Sequence, residues 1–302
     1  MRFRQLGNSE HKVSVIGLGC IQLGDRADMA HSQAIVDRAL DLGINFFDTA
    51  NVYMDGVGEE ILGKALGTRR KNIILATKVG RVRMGTQRKL VRDSTPREIR
   101  AGVEASLKRL GTDWIDHYQI HWPDPDTLFE DSLAVMDELV TAGKIRSVGI
   151  CNYSGEQVKR AYAAYPKLAT VQSPYSMLRR DLETDAFMFC AHRGIGVLPY
   201  WPLEQGVLSG RYTPATPPAN ANNQTLTQIA LLEKLRPLAK TIGRPLSHIA
   251  LSWLLSRPGV AAVIPGASRV EQLEDNCGVA DWNLSADEIY QIDRVLAGPA
   301  VG

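Results

Sequence analysis

The feature that most constrains this chain is a rhythm. Eight short apolar runs recur along it: VSVIGLGC (13–20), INFFDTA (44–50), NIILATKV (72–79), WIDHYQIHW (114–122), SVGICN (147–152), ATVQSPY (169–175), IGVLPYW (195–201) and VAAVIPG (260–266). Each is rich in Val and Ile and ends near Gly, Pro, Asp or Asn, as strands do. Near-continuous apolarity, rather than strict alternation, marks parallel strands covered on both faces. Helical patterns fill the gaps. HSQAIVDRALDLG sets Ala34, Ile35, Ala39 and Leu42 along one side and stops at Gly43. STPREIRAGVEASLKRLG opens on Ser94 or Thr95, then Pro96, and stops at Gly111. SLAVMDELVTAGK stops at Gly143 and LTQIALLEKLRPLAKTIG at Gly243, with PLSHIALSWLLSR following. Strand then helix, eight times over, predicts a (β/α)8 TIM barrel. RFRQLGNSEHKVSV predicts a short N-terminal β-hairpin turning at Gly7 and Asn8. No linker divides the chain, so residues 1–302 are expected to form one domain.

Composition narrows the function. Lys plus Arg number 35 and Asp plus Glu 33, so no charge excess draws nucleic acid or an anionic membrane. Cys20, Cys151, Cys190 and Cys277 stand far apart, and no spacing suits a metal or a disulfide framework. The N-terminus is polar, and no window approaches the roughly 18 apolar residues of a membrane span. A cytoplasmic protein is expected.

Polar residues collect at the strand ends. Asp48 closes the second run, Lys78 the third, His121 the fourth, Asn152 the fifth and Tyr200 the seventh, while Gln172 lies late in the sixth and Tyr53 soon after the second. A barrel gathers such ends around one mouth. Each residue alone has a plain structural use: a turn cap, a rim aromatic, a solvated lysine, a half-buried histidine. Together at consecutive strand ends they read as a site whose members shift one another's pKa values. A free phenol has a pKa of about 10 and is a weak acid. Lys78 is expected to favour the phenolate of Tyr53, Asp48 to hold Lys78 charged, and His121 to orient a carbonyl oxygen that Tyr53 protonates. No nucleophile pair is evident, so the electrons must come from elsewhere.

The segments DTANVY, GEEILGKAL, ATKVG, SLKRLGTDWIDHYQIHWPD, GKIRSVGICNYS, VQSPYSML and VIPGASRVEQLEDN resemble the aldo-keto reductases in order and spacing, over nearly the whole chain. The resemblance implies a barrel that reduces carbonyls with NADP(H). It places the catalytic tetrad on Asp48, Tyr53, Lys78 and His121, with the tyrosine as general acid. It assigns the nicotinamide carboxamide to Asn152 and Gln172, with Cys151 where serine is usual, and stacks Tyr200 beneath the ring. Pro202, Leu203, Gly206, Leu208 and Gly210 resemble the pyrophosphate segment. Gly266 stands where many members have a 2′-phosphate lysine, leaving Ser268 and Arg269 for that phosphate, and Gln272 and Asn276 resemble adenine contacts. GLGCIQLG (17–24) lacks the third glycine of a Rossmann fingerprint.

The expected substrate wall is Ile21, Met54 and Trp122 with Tyr53, apolar and aromatic, suited to a small carbonyl or alcohol. The loop Gly80 to Asp93 carries Arg81, Arg83, Arg88, Lys89 and Arg92, which either bind an anion or solvate a lid. The chain stops soon after DWNLSADEIYQIDRVLAG, without the long C-terminal loop of many relatives, so an open pocket is expected. Two other readings stand beside reduction: an aldolase with Lys78 as Schiff base, and a cofactor-binding regulatory subunit like those of ion channels.

Overall fold

The structure, a computed structural model, describes residues 1–84 and 89–297. Two short antiparallel strands come first, β1 (Phe3–Gln5) and β2 (Lys12–Ser14), with Phe3 opposite Ser14. Their connection turns at Gly7, at φ 53°. A Cβ there would lie 1.8 Å from the carbonyl oxygen of Ala169. Only glycine lets the hairpin press so closely on the barrel strands.

Strands and helices then alternate: β3 (Leu18–Gly19), α1 (Met29–Asp41), β4 (Phe46–Asp48), α2 (Val57–Leu66) and β5 (Ile74–Val79). An antiparallel ribbon follows, β6 (Arg81–Met84) with β7 (Lys89–Arg92), and then α3 (Pro96–Leu110) and β8 (His117–Ile120). Next come α4 (Phe129–Thr141), β9 (Val148–Cys151), α5 (Gly155–Ala164) and β10 (Thr170–Pro174). After α6 (Asp181–Asp185) and α7 (Phe187–Arg193) comes β11 (Gly196–Tyr200). The chain continues through α8 (Asn223–Ile242), α9 (Leu246–Leu255), α10 (Val270–Cys277) and α11 (Ala286–Ala297). Local signals explain the boundaries. Thr95 caps α3 by accepting from the Glu98 amide at 3.3 Å, Pro96 fills its first position, and Gly111 ends it at φ 63°.

Seven parallel strands make one sheet in the order β11-β10-β9-β8-β5-β4-β3. The eighth apolar run joins its two edges. Val260 bridges Val197 of β11, Val263 bridges Ile16, and Gly266 bridges Gly19, all parallel. The Ala261 amide donates to the Val197 carbonyl at 3.0 Å and the Gly17 amide to the Val263 carbonyl at 2.8 Å. Pro265 has no N–H to add, which helps explain why this closing segment is bridged rather than a regular strand. The barrel is therefore the (β/α)8 arrangement, preceded by its hairpin. Two expectations shift in detail. The run 13–20 is split, with Val13 and Ser14 in the hairpin and Leu18 and Gly19 in the barrel. The expected loop after the third strand is the β6–β7 ribbon, where Val82 faces Val91 and Arg83 faces Leu90; Arg88 lies outside the described residues.

Period-two alternation sorts the barrel interior. Phe46, Ala76, Leu198, Ala262 and Ile264 join Leu6 and Val13 of the hairpin in one apolar cluster. Their strand neighbours Phe47, Leu75 and Val197 belong to the larger core shared with the helices. Polar inward positions are His117 and Thr170, which open β8 and β10, and Asp48, Lys78, Gln119 and Gln172 farther along their strands, all buried. His117 is held by Ser147 Oγ at 2.8 Å and Thr170 Oγ1 at 2.7 Å. Gly149 makes room for it, since a Cβ there would lie 2.6 Å from His117 Nε2. Burial drives the His117 pKa down to about 3, so the ring is neutral.

Candidate active site

Adjacent strands β4 and β5 bring Asp48 and Lys78 together. Lys78 Nζ donates to Asp48 Oδ1 at 2.6 Å and to the Thr49 carbonyl at 2.8 Å. The other carboxylate oxygen, Oδ2, accepts from Gln119 Nε2 at 3.1 Å and Gln172 Nε2 at 3.0 Å. Four strands thus fix one carboxylate. Burial alone would discharge Lys78, but Asp48, Tyr53 and Cys151 outweigh it and raise the pKa above the ordinary lysine value. A Schiff-base role needs a neutral amine, and this one is held charged.

Tyr53 follows β4 in a tight turn. Met54 (φ 48°), Asp55 (φ 56°) and Gly56 (φ 97°) are all left-handed, a run that costs backbone energy and is characteristic of functional sites. Arg109 braces this turn. It pairs with buried Glu59 at 2.6 Å, and a Cβ on Gly56 would lie 2.8 Å from its Cδ. Asp55 pairs with Arg83 of the ribbon. The Lys78 ammonium lies 5.3 Å from the Tyr53 ring centroid, and the His121 ring meets Tyr53 edge-on at 6.3 Å. Burial raises the phenol's pKa; Lys78 pulls it down and Asp48 pushes it up, for a net rise. The pull expected from Lys78 is present, but burial exceeds it, so Tyr53 is a protonated acid.

His121 is also held neutral, by burial first and then by the charges of Lys78 and Arg81. Its Nδ1 is buried without a partner among the described residues. Asn152, at φ 64°, donates Nδ2 to the His121 carbonyl at 2.9 Å and accepts from the Tyr200 hydroxyl at 2.6 Å. The Cys151 thiol lies 3.4 Å from Gln119 Oε1 and 3.8 Å from Gln172 Oε1, and burial raises its pKa. A thiol thus occupies the serine position and still reaches an acceptor.

The remaining expected residues form a rim. Ile21 is 50% exposed and Met54 45%, while Trp122 is half-buried beneath Arg81 and Arg92. Trp201, at φ 53°, packs edge-on against Tyr200 and under Arg179. Pro202, Leu203, Gly206, Leu208 and Gly210 lie in or beside the turn Glu204–Ser209, where Gln205 and Gly206 are left-handed. Leu208 is fully buried. Gly266 packs on Gln22, whose Oε1 is buried and unpartnered among the described residues. The Ser268 amide and hydroxyl both donate to Gln272 Oε1, at 2.9 and 3.0 Å. Arg269 precedes α10 and is exposed, whereas Asn276 is buried. A dinucleotide fits this set: Asn152 and Gln172 each keep a second amide N–H, and the α10 N-terminus with an exposed guanidinium suits a phosphate. Among the described residues no cluster could hold a metal ion and no helix is long and apolar enough to cross a membrane.

Three residues escaped the sequence reading. Gln119 is hidden inside an apolar run, although it stands two positions before His121 and so shares its inward face. Asn51, two residues before Tyr53, donates to the Arg81 carbonyl at 3.1 Å and leaves its Oδ1 buried and unpartnered among the described residues. Gln22 carried no signal.

The model of the Aldo/keto reductase family matches residues 15–297. The solved structure of aldo-keto reductase AKR11C1 from Bacillus halodurans (holo form) superimposes with a TM-score of 0.87 and 34% identity, covering 98% of this chain and 96% of that one. The NADH-specific methylglyoxal reductase of Escherichia coli (strain K12) is 34% identical, over 93% of this chain and 94% of that protein. A probable voltage-gated potassium channel subunit beta of Arabidopsis thaliana is 32% identical, over 93% of this chain and 92% of that protein. With a family match running almost from end to end, this chain belongs to the aldo/keto reductase family.

Proposed function

We propose that the protein is an oxidoreductase that reduces aldehydes or ketones to alcohols with NADPH, using Tyr53 as general acid. One observation carries the reading: a phenol kept protonated and a lysine kept charged share the mouth of the barrel with a neutral histidine. The bound dinucleotide supplies the hydride. Asn152 and Gln172 would hold its carboxamide, and Tyr200 would lie beneath the ring. Pro202, Leu203, Gly206, Leu208 and Gly210 would line the pyrophosphate, Gly266, Ser268 and Arg269 the 2′-phosphate, and Gln272 and Asn276 the adenine. Tyr53 Oη gives its proton to the substrate oxygen as charge develops there. Lys78 stabilises the phenolate left behind, and Asp48, gripped by Gln119 and Gln172, keeps Lys78 aimed. Neutral His121 donates a hydrogen bond to the same oxygen. Ile21, Met54 and Trp122 shed water from the approach.

The choice of NADPH rests on Arg269, exposed beside the α10 N-terminus. Steady-state rates with a carbonyl panel should favour NADPH over NADH by about tenfold or more, and Arg269→Met should erase most of that ratio. An equal or reversed preference in the wild type contradicts the choice. Likeness to the Arabidopsis protein supports a second reading, a cofactor-binding channel subunit with little turnover. Sustained NADPH oxidation with 4-nitrobenzaldehyde decides for the reductase, and binding without turnover decides for the subunit.

A further inference from the structure

We propose that Arg81 forms an anion subsite beside the reacting carbonyl, so that the substrate carries a carboxylate or a phosphate. The inference deepens the carbonyl-reductase reading and rests on it for the place of the carbonyl. Arg81 is the third residue after Lys78, at the root of the ribbon. Its carbonyl is tied to Asn51, just ahead of Tyr53. Its guanidinium lies 5.7 Å from the Trp122 ring centroid, next to His121. The group therefore sits between the turn that holds Tyr53 and the step that holds His121.

Among the described residues none supplies it with a counter-charge. Arg81 is half-buried, its Nε is buried without a partner among the described residues, and no carboxylate there is paired with it. Nearby, Arg83 has Asp55. Arg92 shares the same indole at 5.0 Å, reaches the Pro123 carbonyl at 3.5 Å and has Asp124 near enough for its charge to lower that carboxyl's pKa. Burial, Arg92 and Arg83 all weigh against the charge on Arg81. A sheltered cation without an anion is costly, and the guanidinium fork matches a carboxylate or phosphate in two-point contact. The dinucleotide does not account for it. Around the barrel, β8, β9 and β10 separate β5 from β11, and β4 and β3 separate it from the closing segment that leads to Arg269. The phosphate-facing residues thus stand across the mouth from Arg81.

Matched substrate pairs test this: 4-carboxybenzaldehyde against its methyl ester, and glyceraldehyde 3-phosphate against glyceraldehyde. The wild type should favour the anionic member of at least one pair by roughly 10–100-fold in kcat/KM, and the pair concerned tells carboxylate from phosphate. Arg81→Met should bring that ratio to about one, and Arg81→Lys should keep part of it. Equal rates within both pairs, or an Arg81→Met loss that is the same for charged and neutral members, would overturn the subsite. If no carbonyl is reduced, the reductase reading falls, and the subsite is read separately from quenching of tryptophan fluorescence by benzoate and by inorganic phosphate. Saturable binding that Arg81→Met abolishes supports it; no binding to the wild type overturns it.

Discussion

Lys78 is enclosed on all sides and still charged, because Asp48 lies 2.6 Å away and two glutamine amides hold that carboxylate in place. Removing one partner strands the other. Lys78→Met should cost about 3–5 kcal/mol in urea unfolding, and a change below about 1 kcal/mol would show that the pair is not coupled. His117 gives a second test. Its folded pKa is about 3, against about 6.5 unfolded. Between those values the unfolded chain binds more protons. The neutral ring's contribution is therefore complete above about pH 6.5 and falls with acid, by at most about 1.4 kcal/mol per pH unit. The stability gap between wild type and His117→Gln should narrow as pH drops from 6.5 towards 3; a constant gap contradicts the burial account. At this scale the gathering of Asp48, Lys78 and His121 at one end of the barrel was legible, because a polar side chain ending an apolar run is conspicuous. The direction of the Tyr53 shift was not, because burial is set by residues distant in sequence.

Among the elements, the N-terminal hairpin has a task beyond leading into the barrel. Leu6 and Val13 pack with Phe46, Ala76, Leu198 and Ala262, so the hairpin plugs one end of the barrel. Leu6→Ala should cost about 2–5 kcal/mol by the same unfolding assay; a neutral result would mean the plug is dispensable. The turn at Gly7 was legible from its sequence, and so were the capped ends of α3. The β6–β7 ribbon was not, since Val82, Leu90 and Val91 are scattered among arginines and pair only across the turn. The division of the run 13–20 between hairpin and barrel was hidden for a related reason: a continuous apolar stretch does not show where one sheet ends and another begins.

For the whole molecule, the strand–helix rhythm was enough to give the barrel, because each parallel strand needs its own crossover helix. What it did not give was the gradation inside, from the apolar layer of Phe46 and Ala76 to the polar layer of Asp48, Lys78 and Gln119, and on to the mouth with Tyr53 and His121. That gradation exists only after eight segments have been closed into a ring. It places a dry, charged floor beneath an open rim, and the proposed chemistry depends on it. The most direct test is the rate of NADPH-dependent reduction of 4-nitrobenzaldehyde by wild type and by Tyr53→Phe, with circular dichroism confirming that the variant is folded. The account predicts a loss of about 10²–10⁴-fold in kcat with little change in cofactor binding. A Tyr53→Phe protein that keeps the wild-type rate would contradict it.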